Sequence, residues 1–356
     1  MCIKNNFMKN NAFFLNTIKK PLAKAKNLKL PSPGPYHVMV KIIYSGICGS
    51  QLKEIDGKRG HDKYIPHLLG HEGFGKVIRT GSRVKKIKKD DFVLLSWIKG
   101  KGGQEKNLKI KYNKKKINSG PITTFSNLSL ISENRCFKLS NKSYQKKFIP
   151  LLGCSLPTGV GLVYKDLKPK KNKSFVVSGI GAVGIFSLLG IMFFKPRNII
   201  VLETNIYKMK FLKKYLKNIK IISATYSKKK IIEKIKLINE GDLADYAIDC
   251  SGDIQAMNNC IDYIKNNGKF IFASHPDHNK KLQINPHELI KGKKIMGSWG
   301  GGFKIERDEK ILNYFLQNVF LKSNFRKFIK CYKLNNINQA IYDIKKGKIF
   351  KALLIH

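Results

Sequence analysis

The chain has 356 residues, 42% of them hydrophobic, and sets 69 Lys and Arg against 23 Asp and Glu for a formal net charge of +46. The apolar content is too high for a disordered chain, and the length suits two domains of roughly 100–200 residues each. The charge does not mark a sequence reader of nucleic acid: 62 of the basic residues are Lys and seven are Arg, spread along the chain, whereas base readout leans on bidentate Arg.

From the N-terminus, Met1-Cys2-Ile3-Lys4-Asn5-Asn6 is basic and polar and leads into no apolar core with a small-residue cleavage site. The longest apolar stretch, Val183 to Phe194, has 12 residues broken by Gly and Ser, too short to span a bilayer. A cytoplasmic protein with no membrane and no specific nucleic-acid partner is expected. Weak, salt-sensitive attraction to polyanions follows from the charge alone. The seven cysteines (Cys2, Cys48, Cys136, Cys154, Cys250, Cys260, Cys331) are odd in number, widely spaced and without a CxxC pair, which argues for reduced thiols rather than a disulfide framework.

Up to about residue 150 the pattern reads as β structure broken by Gly and Pro turns. Val38–Tyr44 and Phe92–Trp97 read as strands, Thr124–Ile131 alternates loosely, and Asn113-Lys114-Lys115-Lys116 reads as an exposed loop. From Lys173 strands and helices alternate. Ser174–Ser178 is a strand, Val183–Phe194 a helix, Asn198–Glu203 a strand, Tyr207–Leu216 a helix and Ile219–Ser223 a strand. Lys229–Asn239 follows as helix, Tyr246–Cys250 as strand, Ile254–Lys265 as helix, and Lys269–Ala273 and Lys294–Trp299 as strands. Such alternation predicts an α/β, doubly wound parallel sheet covered by helices on both faces. A helix near Glu309–Val319 and a strand Phe350–Ile355 close the chain.

Two constellations carry chemistry. The first is Gly179-Ile180-Gly181-Ala182-Val183-Gly184, between a strand and an apolar helix. Gly179 suits the tight turn, Gly181 lets a pyrophosphate approach the backbone, and Gly184 lets helix and strand pack closely. The helix N-terminus then offers free N–H groups to the phosphates. Glu203, at the end of the next strand, suits the ribose hydroxyls of NAD and repels the extra phosphate of NADP. The second is a set of candidate metal ligands. Cys48 lies in Gly46-Ile47-Cys48-Gly49-Ser50, His71 in Gly70-His71-Glu72-Gly73-Phe74-Gly75, and Cys154 in Gly153-Cys154-Ser155-Leu156-Pro157-Thr158-Gly159. Two thiolates and an imidazole leave one position of a tetrahedral zinc open, as catalysis requires. Singly these residues identify nothing.

In this order, GICGS, GHEGFG, GCSLPTGVG and GIGAVG resemble the motifs of zinc-containing medium-chain alcohol dehydrogenases, as do Gly297-Ser298-Trp299-Gly300-Gly301-Gly302-Phe303 and Gly347-Lys348-Ile349-Phe350-Lys351. The likeness runs from about Pro33 to the end. It implies a GroES-like, β-rich catalytic domain from residues 1–155 and 300–356, with a Rossmann NAD-binding domain, 156–299, inserted between them. It implies Cys48, His71 and Cys154 as ligands of one catalytic zinc, with Glu72 near enough to approach the metal. Ser50 would hydrogen-bond the substrate oxygen and start the proton relay, and Trp97 would line the pocket. Thr158 and Val183 would pack behind the nicotinamide, while Lys208 would contact the ribose.

Departures from the pattern bear on function. Only Cys136 lies between His71 and Cys154, so the four-cysteine lobe for a structural zinc is missing and one metal per chain is expected. Gln51 replaces an Asp that steadies the zinc histidine in many relatives, and Lys53 replaces a relay His. Gly49 replaces a basic pyrophosphate-binding residue of some members, and Lys351 replaces an Arg that serves this purpose in others. The resemblance thus implies transfer of a hydride between an alcohol, polyol or sugar hydroxyl and NAD, in a homodimer or homotetramer. Two other readings stay open: a zinc-free, NADPH-dependent quinone or enone reductase of the same fold, and a non-catalytic or nucleic-acid-binding protein on this scaffold.

Overall fold

A computed structural model describes residues 10–139 and 145–356; Cys2 and the rest of the N-terminal hexapeptide lie outside the described residues. Among the described residues, three sheets organise the fold. The six-stranded parallel sheet runs, edge to edge, Lys220–Ser223, Asn198–Glu203, Ser174–Ser178, Ala244–Asp249, Ile264–Phe272, Lys294–Gly297. In chain order that is 3-2-1-4-5-6, the order of a dinucleotide-binding sheet, with its crevice at the carboxyl ends of the strands. The central strands, such as Ser174–Ser178 (SFVVS), are buried throughout because helices cover both faces. The helix Ala182–Phe193 is apolar nearly all round for the same reason.

The second sheet is mostly antiparallel and holds the other half of the molecule. Its long strand His37–Ile47 pairs with Glu72–Thr80, with Leu128–Ser132 and with the last strand, Lys351–Ile355. The C-terminus therefore returns to the sheet begun near the N-terminus, and the parallel-sheet segment is an insertion in it. A smaller sheet joins Ala12–Leu15, Ala23–Ala25 and His67–Leu68 to a hairpin formed by Leu108–Tyr112 and Lys115–Ser119. That hairpin absorbs the expected Asn113–Lys116 loop: Asn113, at φ 52°, turns the chain, and Lys115 and Lys116 stand exposed on the returning strand.

Close packing of small residues joins the halves. The helix Ser155–Gly161 lies on Ala182–Phe193 so tightly that a Cβ on Gly159 would come within 2.5 Å of the Val183 carbonyl oxygen. The Gly300–Gly302 turn folds back on Ser155–Gly161 with all three glycines at positive φ, which accounts for the glycine run after Trp299. One expected helix overruns. Ile254–Cys260 is helical, but after the short turn Ile261–Tyr263 the residues Ile264 and Lys265 already belong to the next strand.

Candidate metal and cofactor site

The strand His37–Ile47 delivers Cys48, which caps the helix Gly49–Ile55. Gln51 holds this junction, its side-chain oxygen accepting the Cys48 backbone N–H at 3.0 Å. Gln51 therefore secures the turn that carries the first thiol, a different task from the histidine-steadying Asp it replaces. His71 enters just before the strand Glu72–Thr80, and Cys154 sits at the sharp junction ahead of helix Ser155–Gly161. Three distant segments thus bring Cys48, His71 and Cys154 together, with one ligand atom from each within 4.8 Å of the others.

The two sulfurs lie 3.7 Å apart. Thiolates each about 2.3 Å from a tetrahedral zinc stand roughly 3.8 Å apart, so the pair fits that ion without rearrangement. The Nε2 of His71 is buried with no hydrogen-bond partner, an orphan that a metal bond would satisfy. The Cys154 thiol donates to Cys48, holding Cys48 well below the ordinary thiol range, and the same bond together with burial pushes Cys154 up. Ser50 Oγ donates to Cys48 Sγ at 3.5 Å, which places its hydroxyl on the rim of the cluster.

Glu72 and Lys351 form the wall behind the ligands. Gly46 leaves room for the carboxyl, since a Cβ there would meet it at 2.7 Å. One carboxyl oxygen of Glu72 pairs with Lys351 Nζ, which also donates to the Ile47 carbonyl at 3.1 Å; the other oxygen is buried without a partner. Burial pushes the Glu72 carboxyl up against the pull of the Lys351 charge. Lys351 was expected at the pyrophosphate. Its ammonium is instead buried and committed to Glu72, so the placement gives no support to phosphate contact.

The glycine turn has the geometry its sequence implied. Gly179 adopts φ 82°, a Cβ on Gly184 would lie on the Gly179 carbonyl oxygen, and a Cβ on Gly181 would meet nothing within 4 Å. The open space over Gly181 is a cradle at a helix N-terminus, fit for a pyrophosphate. Glu203 is buried at the end of its strand and accepts the N–H groups of Ile180 (3.0 Å), Thr204 (2.9 Å) and Asn205 (2.9 Å). It thereby ties the glycine turn to the next loop, and Lys208 Nζ stands 3.8 Å from it. Thr158 Oγ1 donates to the Cys154 carbonyl at 2.8 Å, so that hydroxyl is occupied in holding the helix start beside the metal ligand. Val183 stands in the first turn of the helix Ala182–Phe193, behind the glycine turn.

Sequence reasoning missed three features. Trp299 is 76% exposed and meets Trp97 edge-on at 5.3 Å, with His275 edge-on to Trp299 at 6.1 Å, making an aromatic wall from residues far apart in the chain. Lys53 reaches across to the parallel-sheet half, donating to Gly252 O, His275 O and Asp277. Glu54, Asp62 and His67 form a second acid–imidazole group, where His67 Nε2 lies 2.9 Å from Asp62 and 3.7 Å from Glu54. A cavity of about 570 Å³ connects that group with Gln51 and His71. No motif announces any of these, because each is made by the fold rather than by a local run.

Among the described residues, no disulfide occurs. Cys136, Cys154 and Cys260 are buried, Cys48 and Cys250 partly so, and Cys331 is exposed. No single described helix is long and apolar enough to cross a membrane.

Comparison with known proteins bears on both halves. Residues 34–141 match the family model of the alcohol dehydrogenase GroES-like domain, and residues 180–316 match that of the zinc-binding dehydrogenase. Among curated proteins, alcohol dehydrogenase-like 1 of Arabidopsis thaliana is 26% identical over 360 residues, covering 92% of this chain and 91% of its own. An S-(hydroxymethyl)glutathione dehydrogenase of Synechocystis sp. is 23% identical over 374 residues, covering 98% and 100%. Benzyl alcohol dehydrogenase from Acinetobacter calcoaceticus shares the fold, with a TM-score of 0.83 at 23% identity, covering 98% of this chain and 99% of that one.

Proposed function

The chain belongs to the alcohol dehydrogenase-like medium-chain dehydrogenase/reductase family, and on that premise we propose that it is a zinc-dependent oxidoreductase that moves a hydride between an alcohol, polyol or sugar hydroxyl and NAD. The observation that carries this reading is the pair of sulfurs 3.7 Å apart beside the orphaned His71 Nε2. Zinc held by Cys48, His71 and Cys154 would supply Lewis acidity that lowers the pKa of a substrate hydroxyl. Two thiolate ligands would balance its charge.

This chain's residues do the rest. Residues 1–155 and 300–356 form the catalytic half, and 156–299 the nucleotide-binding half. Ser50, on the rim of the cluster, would accept the substrate hydroxyl proton as its own passes to solvent, and NAD would supply the hydride acceptor for the carbon that bears that oxygen, so that alcohol and NAD become carbonyl, NADH and one proton. The backbone of Gly179–Gly184 receives the pyrophosphate, and Glu203 presents acceptors to the ribose and disfavours a 2′-phosphate. Trp97 and Trp299, edge-on to each other, would offer an aromatic face to the substrate. Glu72, paired with Lys351, supplies a carboxyl oxygen free of hydrogen bonds behind the ligands.

Steady-state assay of the zinc-loaded protein against alcohols, polyols and sugars, with NAD and NADP in parallel, tests the reading. Turnover with NAD favoured, abolished in Cys48→Ser, is the expected result. NADPH-dependent reduction of quinones or enones that survives Cys48→Ser overturns it.

A further inference from the structure

We propose that Lys53 is a positioning residue that locks the nucleotide-binding loops onto the metal-bearing helix, and not a member of a proton relay; its effect on turnover rests on the dehydrogenase reading above. Lys53 lies on the helix Gly49–Ile55, five residues after Cys48 and three after Ser50. Its Nζ donates to the Gly252 carbonyl at 3.0 Å, the His275 carbonyl at 2.7 Å and Asp277 Oδ1 at 2.9 Å. An ammonium has three protons to donate and no acceptor site. All three are engaged, so the group can neither receive a proton nor pass one on without breaking a bond that joins the two halves.

The partners show what is being held. Gly252 follows the strand Ala244–Asp249, and His275 and Asp277 follow the neighbouring strand Ile264–Phe272. Both loops stand at the carboxyl ends of the parallel strands, where a dinucleotide binds. They are already tied to each other: Asp249 accepts the Ser251 hydroxyl at 2.6 Å and the Gly252 N–H at 3.1 Å, and it also accepts the Ser274 hydroxyl from the other loop. Lys53 thus grips a preassembled pair of loops. A second strut lies beside it. Lys58 Nζ is 3.5 Å from Asp277 Oδ2, and the His278 N–H donates to the Lys58 carbonyl at 2.8 Å.

The consequence reaches the substrate side. His275, held by its carbonyl, packs edge-on against Trp299, and Trp299 against Trp97. The helix that sets Cys48 and Ser50 therefore also sets the loop that bears His275, and through it the aromatic wall. Hydride transfer depends on the distance between two groups held by different halves, and a misplacement of about 1 Å costs on the order of 100-fold. Lys53 is a link that helps fix that distance from the metal side.

Two variants test the proposal, Lys53→Met and Asp277→Asn; the second neutralises a partly exposed carboxylate, weakening its ion pairs with Lys53 and Lys58 while leaving the two carbonyl bonds of Lys53, so it preserves the fold. The first readout, backbone hydrogen exchange in the metal-loaded full chain, needs no activity. In Lys53→Met, amides of 250–253 and 273–278 should exchange at least ~10-fold faster while those of strand Ser174–Ser178 are unchanged. Unchanged exchange in the two loops overturns the proposal whether or not the protein is a dehydrogenase. The second readout is kinetic. Both variants should raise KM for NAD and lower kcat, each by a factor that does not change with pH. A kcat loss that grows at low pH, or that small primary amines restore, would make Lys53 a relay base and overturn the proposal. Altered exchange with no turnover in any form, wild type included, would keep the lock and reject the dehydrogenase reading.

Discussion

Lys351 and Glu72 are ion-paired out of contact with water, at 1% and 0% exposure, although the two residues, one on the last strand and one in the GHEGFG motif, lie 279 positions apart. Removing one member strands a charge in the interior, which costs about 3–5 kcal/mol, whereas replacing both by apolar groups of similar volume is often neutral. Lys351→Met is therefore expected to unfold at lower denaturant concentration than wild type. Adding Glu72→Met should recover most of the loss. Chemical denaturation of the singles and the double checks this; a double variant as unstable as the sum of the singles would refute it.

Gly181 and Gly184 should fail in different ways when changed to Ala. At Gly184 the new Cβ lies on the Gly179 carbonyl oxygen, so helix and strand must part, and thermal stability should fall. At Gly181 it meets nothing within 4 Å, so the free protein should melt as wild type does. The methyl then occupies the pyrophosphate space, and NAD affinity should drop by roughly 10-fold or more. Melting curves and fluorescence titration with NAD separate the two. Unaltered NAD binding in Gly181→Ala would move the nucleotide elsewhere.

Asp245 links stability to pH. Burial alone would raise its carboxyl, but Lys265 at 2.8 Å, the Ser174 N–H and hydroxyl, and Lys173 at 3.2 Å outweigh burial and hold it at about 2. The unfolded value is about 3.9, so the folded state binds its proton less readily. The stabilisation is complete above about pH 5 and is lost as pH falls through 4 toward 2. With solvent screening of the half-exposed lysines, Asp245→Asn should cost about 1–2 kcal/mol at pH 7 and progressively less in acid. A cost independent of pH between 7 and 3 would contradict this.

Much of the parallel sheet was legible because its strands are short apolar runs buried on both faces, as at Ser174–Ser178 and Asn198–Glu203. Its glycine turn was legible because each glycine answers a separate steric demand. The error at Ile264–Lys265 came where an apolar pattern of helical period ran on into a strand, with Asn267 turning at φ 61° inside it. The short strands Ala12–Leu15 and Ala23–Ala25 carry too few residues to show a period. In the site, Cys48, His71 and Cys154 were recognisable by their flanking motifs. Lys53 and Lys351 were not, since their partners lie 199 to 304 residues away and only the fold specifies them.

The central claim, one thiolate-bound zinc in a nucleotide-dependent dehydrogenase, is tested most directly by elemental analysis of metal per chain in wild type, Cys48→Ser and Cys154→Ser expressed with ample zinc. One zinc per chain in wild type, lost from both variants while their folds persist, is the predicted result. No zinc in wild type, or zinc that stays bound in both variants and so resides at another group such as Glu54, Asp62 and His67, would contradict it.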